Sequence, residues 1–298
     1  MSDTVFSPRQ LTVVSGKGGT GKTTVVGSFA ALADNKVMAD CDVDAANLYQ
    51  IVIPKITESG DFLGMQVAVR NEDLCTKCGK CEEACRFEAI TVDEVNELAC
   101  EGCGFCVLVC PENALHMEQK SCGQWYVGDT RFGPLVYARL IPGSESSGRL
   151  VTMVRQKAED VAMDLGKPLI IIDGSPGIGC VATAAIADVD LALVVTEPTL
   201  SGIHDMERIA GVIKHFGVAM VAIINKADIN EENSQRIRDY CRNNDVELLA
   251  ELPYDETVTE AMANEVPLVE YQDGPVAQGI RQAWERLEEI LELHPVRM

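Results

Sequence analysis

Gly16-Lys17-Gly18-Gly19-Thr20-Gly21-Lys22-Thr23-Thr24 is the stretch that decides the fold of this chain. It has the form G-x-x-x-x-G-K-[ST]. The glycines of such a loop let backbone N–H groups turn inward around phosphate oxygens. Lys22 is placed to reach the β- and γ-phosphates of a nucleotide, and the Thr23 hydroxyl to bind Mg²⁺. Gly18, Gly19, Thr20, Gly21 and Thr24 complete the cradle. A glycine-rich turn without a ligand is the alternative, but the flanks argue against it. Leu11–Ser15 reads as a buried strand before the loop and Thr23–Ala33 as a helix after it, the context the motif requires.

Outward from the loop, Lys36–Ala39 reads as a second strand, which makes a βαβ unit and implies a parallel sheet. That rhythm stops near Gly64 and resumes after about Leu150. Pro168–Ile172, Leu191–Thr196, Ala219–Asn225 and Val246–Leu252 read as further buried strands. Ser201–Phe216, Glu231–Asn243 and Pro275–Leu293 read as helices. Trp125–Pro142 reads as a strand-rich connector leading back to the main sheet.

Eight of the twelve cysteines lie in the interruption. They fall in two runs, Cys75-x2-Cys78-x2-Cys81-x3-Cys85 and Cys100-x2-Cys103-x2-Cys106-x3-Cys110-Pro111. Each run is followed by a similar short segment, Glu88–Ile90 or Glu112–Leu115, so the region is an internal duplication. The spacing is that of bacterial ferredoxins with two [4Fe–4S] clusters, in which the fourth Cys of each run ligates the other cluster. The expected ligand sets are therefore Cys75, Cys78, Cys81 and Cys110 for one cluster, and Cys100, Cys103, Cys106 and Cys85 for the other. One departure is Arg86, which stands where the second run has Pro111. Structural zinc is the alternative use of paired C-x-x-C, although a third Cys at x2 followed by x3 does not suit it. Disulfides are disfavoured in a cytoplasmic protein.

The expected fold class is α/β: a mostly parallel, doubly wound P-loop NTPase sheet with an inserted α+β ferredoxin-like domain. Residues 1–63 and 121–298 form the P-loop domain, and residues 64–120 the insert.

Lys17, a second lysine at the front of the loop, gives the string a resemblance to the deviant Walker A family. That family includes the MinD division ATPases, the Mrp-type cluster carriers and the nitrogenase iron protein. The resemblance implies that Lys17 crosses a dimer interface to phosphates held by the partner subunit; a solvated surface lysine is the alternative. It makes Asp40-Cys41-Asp42-Val43-Asp44-Ala45-Ala46-Asn47 switch I, with Asp42 orienting the attacking water. Asp44 is then assigned to a Mg²⁺-bound water, or to capping of a helix. Leu169–Asp173, an apolar strand ending in an acid, resembles Walker B, with Asp173 holding Mg²⁺. Gly174–Gly179 resembles switch II, where Gly177 allows close backbone approach to the γ-phosphate. At the base end, Asn225-Lys226-Ala227-Asp228 looks like a guanine motif, whereas the resemblance assigns Asn225 to adenine and Leu252-Pro253-Tyr254-Asp255, with Pro253, to the adenine-side loop. ATP is preferred over GTP.

Four cysteines remain. Cys41 and Cys241 read as buried small residues. Cys180, seven residues after Asp173, matches a cluster-ligand offset of the nitrogenase iron protein, but burial is the preferred reading; Cys122 is the sole candidate for a second ligand. The chain as a whole resembles MinD-superfamily ATPases that carry an inserted ferredoxin domain, including the Trp125–Leu135 and Ser146–Leu150 segments of that group.

Composition bounds the partners. The 298 residues carry a net charge of −21 and a pI near 4.5. This opposes nonspecific nucleic-acid binding, which needs clustered basic residues, and docking on anionic lipid. No apolar run is long enough to span a membrane. Met1–Gln10 lacks the pattern of a signal peptide, so a cytoplasmic protein is expected. The C-terminal apolar stripe Val276, Ile280, Trp284, Leu287 and Leu291 faces away from an acidic rather than a basic surface, so it reads as packing on the sheet and not as a membrane anchor.

These features support an ATPase (an Mg²⁺-dependent nucleoside-triphosphate hydrolase) that couples nucleotide-dependent homodimerisation to electron transfer through its clusters, with a redox partner protein. The alternative is a carrier that delivers clusters or metal to an acceptor protein. A MinD-like spatial positioner ranks third.

Overall fold

The structure is a computed structural model that describes residues 7–142 and 147–293. Met1–Phe6 of the N-terminal stretch and Ser146 of the Ser146–Leu150 segment lie outside the described residues. The chain divides into two compact units. One comprises the residues up to Ser59, Trp125–Arg139 and the chain from Ser147 onward; the other comprises Gly60–Gln124 and the stretch beginning at Leu140.

The first unit begins with β1 (Arg9–Ser15), α1 (Lys22–Leu32), β2 (Lys36–Asp40), α2 (Leu48–Val52) and the start of β3 (Lys55–Arg70). The second unit contains α3 (Lys80–Ala84) and α4 (Phe105–Val109) together with β3 from Gly60 on and β4 (Leu115–Thr130) as far as Gln124. After β4 come β5 (Gly133–Leu140), α5 (Ser147–Asp164), β6 (Leu169–Pro176), α6 (Cys180–Ile186), β7 (Leu191–Thr196) and α7 (Leu200–His215). The chain closes with β8 (Ala219–Asn225), α8 (Glu231–Asn243), β9 (Glu247–Leu252), α9 (Thr257–Ala263), α10 (Leu268–Tyr271) and α11 (Pro275–Ile290).

The strands form a nine-stranded sheet in the order β3-β4-β5-β2-β6-β1-β7-β8-β9. From β5 to β9 every neighbouring pair is parallel. Successive side chains of a strand point to opposite faces, and here each face has its own apolar core. Leu11 and Val13 of β1 and Leu191, Leu193 and Val195 of β7 belong to one core. Val14, Ala192 and Val194 belong to the other. Burial on both faces explains why these strands read as continuous apolar runs. Because β1 is flanked by β6 and β7, the chain turns to opposite sides of it, and the carboxyl end of β1 is the position where such sheets bind ligands.

Helix α11 buries Val276, Ile280, Ala283, Trp284 and Leu287. The Trp284 ring lies 5.0 Å from Phe29 of α1, and a Cβ added at Gly279 would come within 2.6 Å of Leu252 in β9. The C-terminal apolar stripe is therefore core.

The structure departs from the sequence expectations in three places. Trp125–Pro142 is more than a connector, because β5 is a sheet member that aligns Leu135, Val136 and Tyr137 with Met38, Ala39 and Asp40. The compact second unit takes in Gly60–Gln124 and the stretch beginning at Leu140, and positions 64 and 121 both fall within strands, in β3 and β4. The first half of β3 is exposed apart from Gly60 and Phe62 and so lacks an alternating apolar signal. Helix α5, which has no counterpart in the sequence reading, buries Leu150, Val151 and Val154 in its first half but only the small Ala158 and Ala162 in its second.

Within the second unit, the duplication extends to backbone conformation. Positive φ occurs at Lys77, Gly79 and Glu88, and again at Gly102, Gly104 and Asn113. Each pair has the separation of Cys75 and Cys100.

Replacing Ile280 by Ala should cost about 2–5 kcal/mol, read as a lowered urea midpoint by tryptophan fluorescence. Glu285→Gln, on the exposed side of the same helix, should change stability by no more than about 0.5 kcal/mol.

Candidate functional site

Seven consecutive residues, Gly18–Thr24, line a cavity of about 810 Å³ in the first unit, together with Asp42, Asn47, Pro176, Asn225, Lys226, Val258, Thr259 and Met262. The loop is held by its neighbours. Gly21 has φ +93°, and a Cβ there would lie 2.3 Å from the Asn225 amide nitrogen. That amide donates to the Thr20 carbonyl at 2.8 Å. Lys226 Nζ reaches the Gly19 carbonyl at 3.3 Å. Asn225 thus braces the phosphate loop as well as lining the cavity.

Charged groups converge beneath the loop. Lys22 Nζ lies 2.5 Å from Asp173 Oδ1 and 3.9 Å from Asp42 Oδ2. Burial opposes the ammonium, but the charge and hydrogen bond of Asp173 outweigh it and hold Lys22 above the usual lysine range. Asp173 is fully buried, and its Oδ2 has no hydrogen-bond partner. A buried carboxylate oxygen left unpaired is costly, and a hard cation satisfies it. Asp173 and the cavity-lining Thr23 therefore fit Mg²⁺.

Asp40 was part of the acidic cluster in the sequence but had no assigned role. It faces Asp173 across the β2–β6 pair. Its Oδ1 accepts the Asp42 N–H at 3.1 Å, and its Oδ2 accepts those of Asn47 and Leu48 at 3.1 and 3.0 Å. One carboxylate thus ties down the whole loop from Asp42 to α2. Burial, and then the charge of Asp173, push Asp40 up to about 7. Burial likewise raises Asp42.

Other expected residues sit differently. Asp44 is exposed and outside the cavity. It caps nothing, since α2 starts at Leu48 behind Asn47. Gly177 has φ +91°, but its N–H donates to the Ser15 carbonyl at 2.9 Å and is not free for a phosphate. Pro253 is not among the residues lining the cavity, whereas Val258, Thr259 and Met262 around α9 are. Asp228 accepts the Tyr254 N–H at 2.7 Å, so one oxygen of the apparent guanine-reading acid is already engaged in pinning the neighbouring loop.

Lys17 folds back onto its own chain. Its Nζ lies 2.6 Å from Glu197 Oε1 and 3.2 Å from Ser201 Oγ. Glu197 Oε2 also pairs with Lys226 at 2.9 Å. Burial opposes the Glu197 carboxylate, yet the hydrogen bonds from Lys17 and Lys226 keep it below the usual range. No sequence motif pointed to Glu197.

The second unit holds two cavities of about 380 Å³ each. Cys75, Cys78, Cys81 and Cys110 line one. Cys85, Cys100, Cys103 and Cys106 line the other. These are the two crossed sets expected from the spacing. The fourth cysteines share an environment too: Ala89 N–H donates to Cys85 Sγ at 3.4 Å, and Ala114 N–H to Cys110 Sγ at 3.3 Å. Among the described residues no three His, Cys, Asp or Glu side chains are grouped to hold a single metal ion.

Of the other cysteines, Cys41 and Cys241 are buried, and burial pushes the Cys241 thiol up to about 11. Cys180 is exposed, against the expectation of burial. Cys122 is buried, with its Sγ 3.6 Å from the Phe62 carbonyl, so it offers no exposed second ligand. No helix among the described residues is long and apolar enough to cross a membrane.

Residues 11–268 match the CobQ/CobB/MinD/ParA nucleotide binding domain. An uncharacterized protein of Methanocaldococcus jannaschii is 32% identical over 285 residues, covering 95% of this chain and 97% of that one. An uncharacterized ATP-binding protein of the same organism is 30% identical over 147 residues, 48% of this chain and 55% of that one. Among solved structures, the septum site-determining protein MinD of Pyrococcus horikoshii, complexed with Mg-ADP, shares the fold. The TM-score is 0.59 with 20% identity, over 96% of this chain and 98% of that one.

Asp40 sets the sign of a pH dependence. A carboxyl whose pKa rises on folding binds its proton more tightly when folded. Its contribution is complete below about pH 4 and is lost as pH rises through about 7. The unfolding free energy of the nucleotide-free protein, minus that of Asp40→Asn, should therefore fall between pH 5 and 7.5. The limiting slope is about 1.4 kcal/mol per pH unit. A flat or rising difference contradicts the assignment.

Proposed function

Because the chain belongs to the CobQ/CobB/MinD/ParA nucleotide-binding family, we propose that it is an Mg²⁺-dependent ATPase of the deviant Walker A type. In this reading it couples nucleotide-driven pairing of two copies to electron transfer through two [4Fe–4S] clusters in a ferredoxin-like insert. The observation that carries the redox part is the division of eight cysteines into two cavities of equal size, each completed by the last cysteine of the other run. When bound, such clusters accept and release single electrons without proton or bond changes.

The residues have separable tasks. Backbone N–H groups of Gly18–Thr24 and the Lys22 ammonium hold the phosphates. Asp173 Oδ2 and the Thr23 hydroxyl take Mg²⁺. Asp42, facing the cavity beside Lys22, orients the attacking water, and Asp40 holds Asp42 in place through the backbone. Lys17 leaves Glu197 to reach the phosphates of the partner subunit, and that exchange makes pairing depend on nucleotide. ATP is preferred over GTP because an Asp228 oxygen is engaged by Tyr254.

Delivery of clusters or metal to an acceptor protein is the second reading. The exposed thiol of Cys180 is the observation in its favour. MinD-like positioning through a C-terminal membrane helix is disfavoured by the burial of the α11 stripe.

Lys22→Ala or Asp173→Asn should lower the ATPase rate by about 10²-fold or more while leaving iron content unchanged. Anaerobically reconstituted protein should hold about eight iron and eight sulfide per chain, and Cys78→Ala should lose about half. Protein that takes up zinc in place of iron, at about one ion per four cysteines, would sink the redox reading. Lys17→Ala should abolish ATP-dependent dimerisation in sedimentation, and a dimer that persists refutes the cross-subunit role. To separate the two readings, reduction potentials are measured with and without Mg-ATP, followed by addition of an acceptor apoprotein. Unchanged potentials, with cluster appearing in the acceptor, favour the carrier.

A further inference from the structure

The two cysteine cavities match in volume and ligand spacing but not in charge. Strands β3 and β4 supply residues to both. Ala68 and Met117 line the Cys85/Cys100/Cys103/Cys106 cavity; Arg70 and Leu115, each two positions along the same strand, line the Cys75/Cys78/Cys81/Cys110 cavity. Residues two apart on a strand share a face, so the sheet offers a guanidinium to one cavity and a methyl group at the corresponding place in the other.

Arg70 is the only charged group lining either cavity that is buried; 3% of its side chain is exposed. Lys77, Lys80 and Glu112 at its cavity and Glu101 at the other are all exposed. Lys77 is in addition paired with Asp93 at 3.0 Å. Exposed charges are screened by water and salt, so Arg70 dominates the difference. Two of its nitrogens are engaged: Nε donates to Glu72 at 3.0 Å, and Nη1 to the Thr91 and Val92 carbonyls at 3.0 and 2.9 Å. Nη2 is buried without a partner. An unpaired buried donor of a charged group is expensive. An anionic thiolate-bound cluster is the ligand chemistry that satisfies it, and donors and positive charge beside a cluster raise its reduction potential.

We propose that Arg70 is a potential-tuning residue that makes the Cys75/Cys78/Cys81/Cys110 cavity the electron-holding site of the pair. This rests on the two-cluster reading above. Arg70 stabilises the extra negative charge of one added electron in its own cavity. The apolar cavity beside Ala68 and Met117 has no such group, so a single electron delivered by a low-potential one-electron donor comes to rest next to Arg70. No proton moves and no bond changes. The asymmetry gives the insert a direction: entry through one cavity and residence in the other.

The experiment uses the full chain, reconstituted anaerobically, with iron and sulfide counted first. About eight of each per chain establishes the two-cluster premise, and a lower count faults that premise and not Arg70. EPR-monitored potentiometry with dithionite then reads two one-electron steps. In Arg70→Gln, whose shorter amide removes the guanidinium and keeps a donor only near the Nε position, the upper step should fall by at least tenfold in equilibrium constant, about 59 mV. The lower step should stay in place, and Arg70→Lys should restore most of the gap. Loss of the hydrogen bonds alone would not reproduce that charge-dependent rescue. Should Arg70→Gln fail to load iron, Met117→Lys places a cation at the other cavity and should raise the lower step and narrow the gap. Fully loaded Arg70→Gln with both potentials unchanged, or a gap untouched by Met117→Lys, overturns the proposal.

Discussion

One ammonium, that of Lys22, is shared among the carboxylates at the carboxyl edge of the central strands. Asp173 touches it, Asp42 stands within ion-pair distance, and Asp40 lies opposite Asp173 on the neighbouring strand. Burying ions costs several kcal/mol apiece unless they are paired and hydrogen-bonded. The geometry answers that cost in stages. Lys22 neutralises one carboxylate, backbone N–H groups satisfy Asp40, and burial with the charge of Asp173 biases Asp40 toward its neutral form. What remains is a surplus of negative charge and one unpaired oxygen on Asp173. A divalent cation removes both. The phosphate loop, the Asp42 loop and the end of β6 are therefore placed by a common electrostatic requirement.

The second unit solves a different problem. It is small, its helices α3 and α4 have no buried residues, and its interior is organised around thiols. Large apolar side chains are scarce there, while Leu74, Phe87, Leu98, Phe105 and Leu108 are exposed. The unit's repeated pattern of left-handed backbone positions places the thiols of both halves alike, and the difference between the cavities comes from the sheet beneath them.

Much of this was legible in the sequence, for physical reasons. A phosphate loop demands a fixed backbone path, and few residue strings allow it, so Gly16–Thr24 could be located to the residue. Cysteine spacing is equally restrictive, and the two groups of four it picks out are the groups that line the two cavities. Strands buried on both faces announce themselves as apolar runs. The illegible parts lacked such constraints. Asp40 works through backbone N–H groups, which have no sequence signature. Glu197 meets Lys17 and Lys226 across long separations that no local pattern records. Val258, Thr259 and Met262, which line the cavity, carry no motif that marks them in the sequence. Cys180 was expected inside because cysteine usually is, and its place at the start of α6 keeps it outside.

Strands β3 and β4 are hydrogen-bonded neighbours, and the whole cysteine-bearing segment is enclosed between them. For a flexible segment whose ends are held together, each doubling of length costs only about 0.6 kcal/mol of closure entropy. The host sheet is therefore nearly indifferent to how much chain the two strands enclose. Changing the length of chain between β3 and β4 should therefore cost the sheet little, because β1, β2, β6 and β7 are ordered by their own pairings.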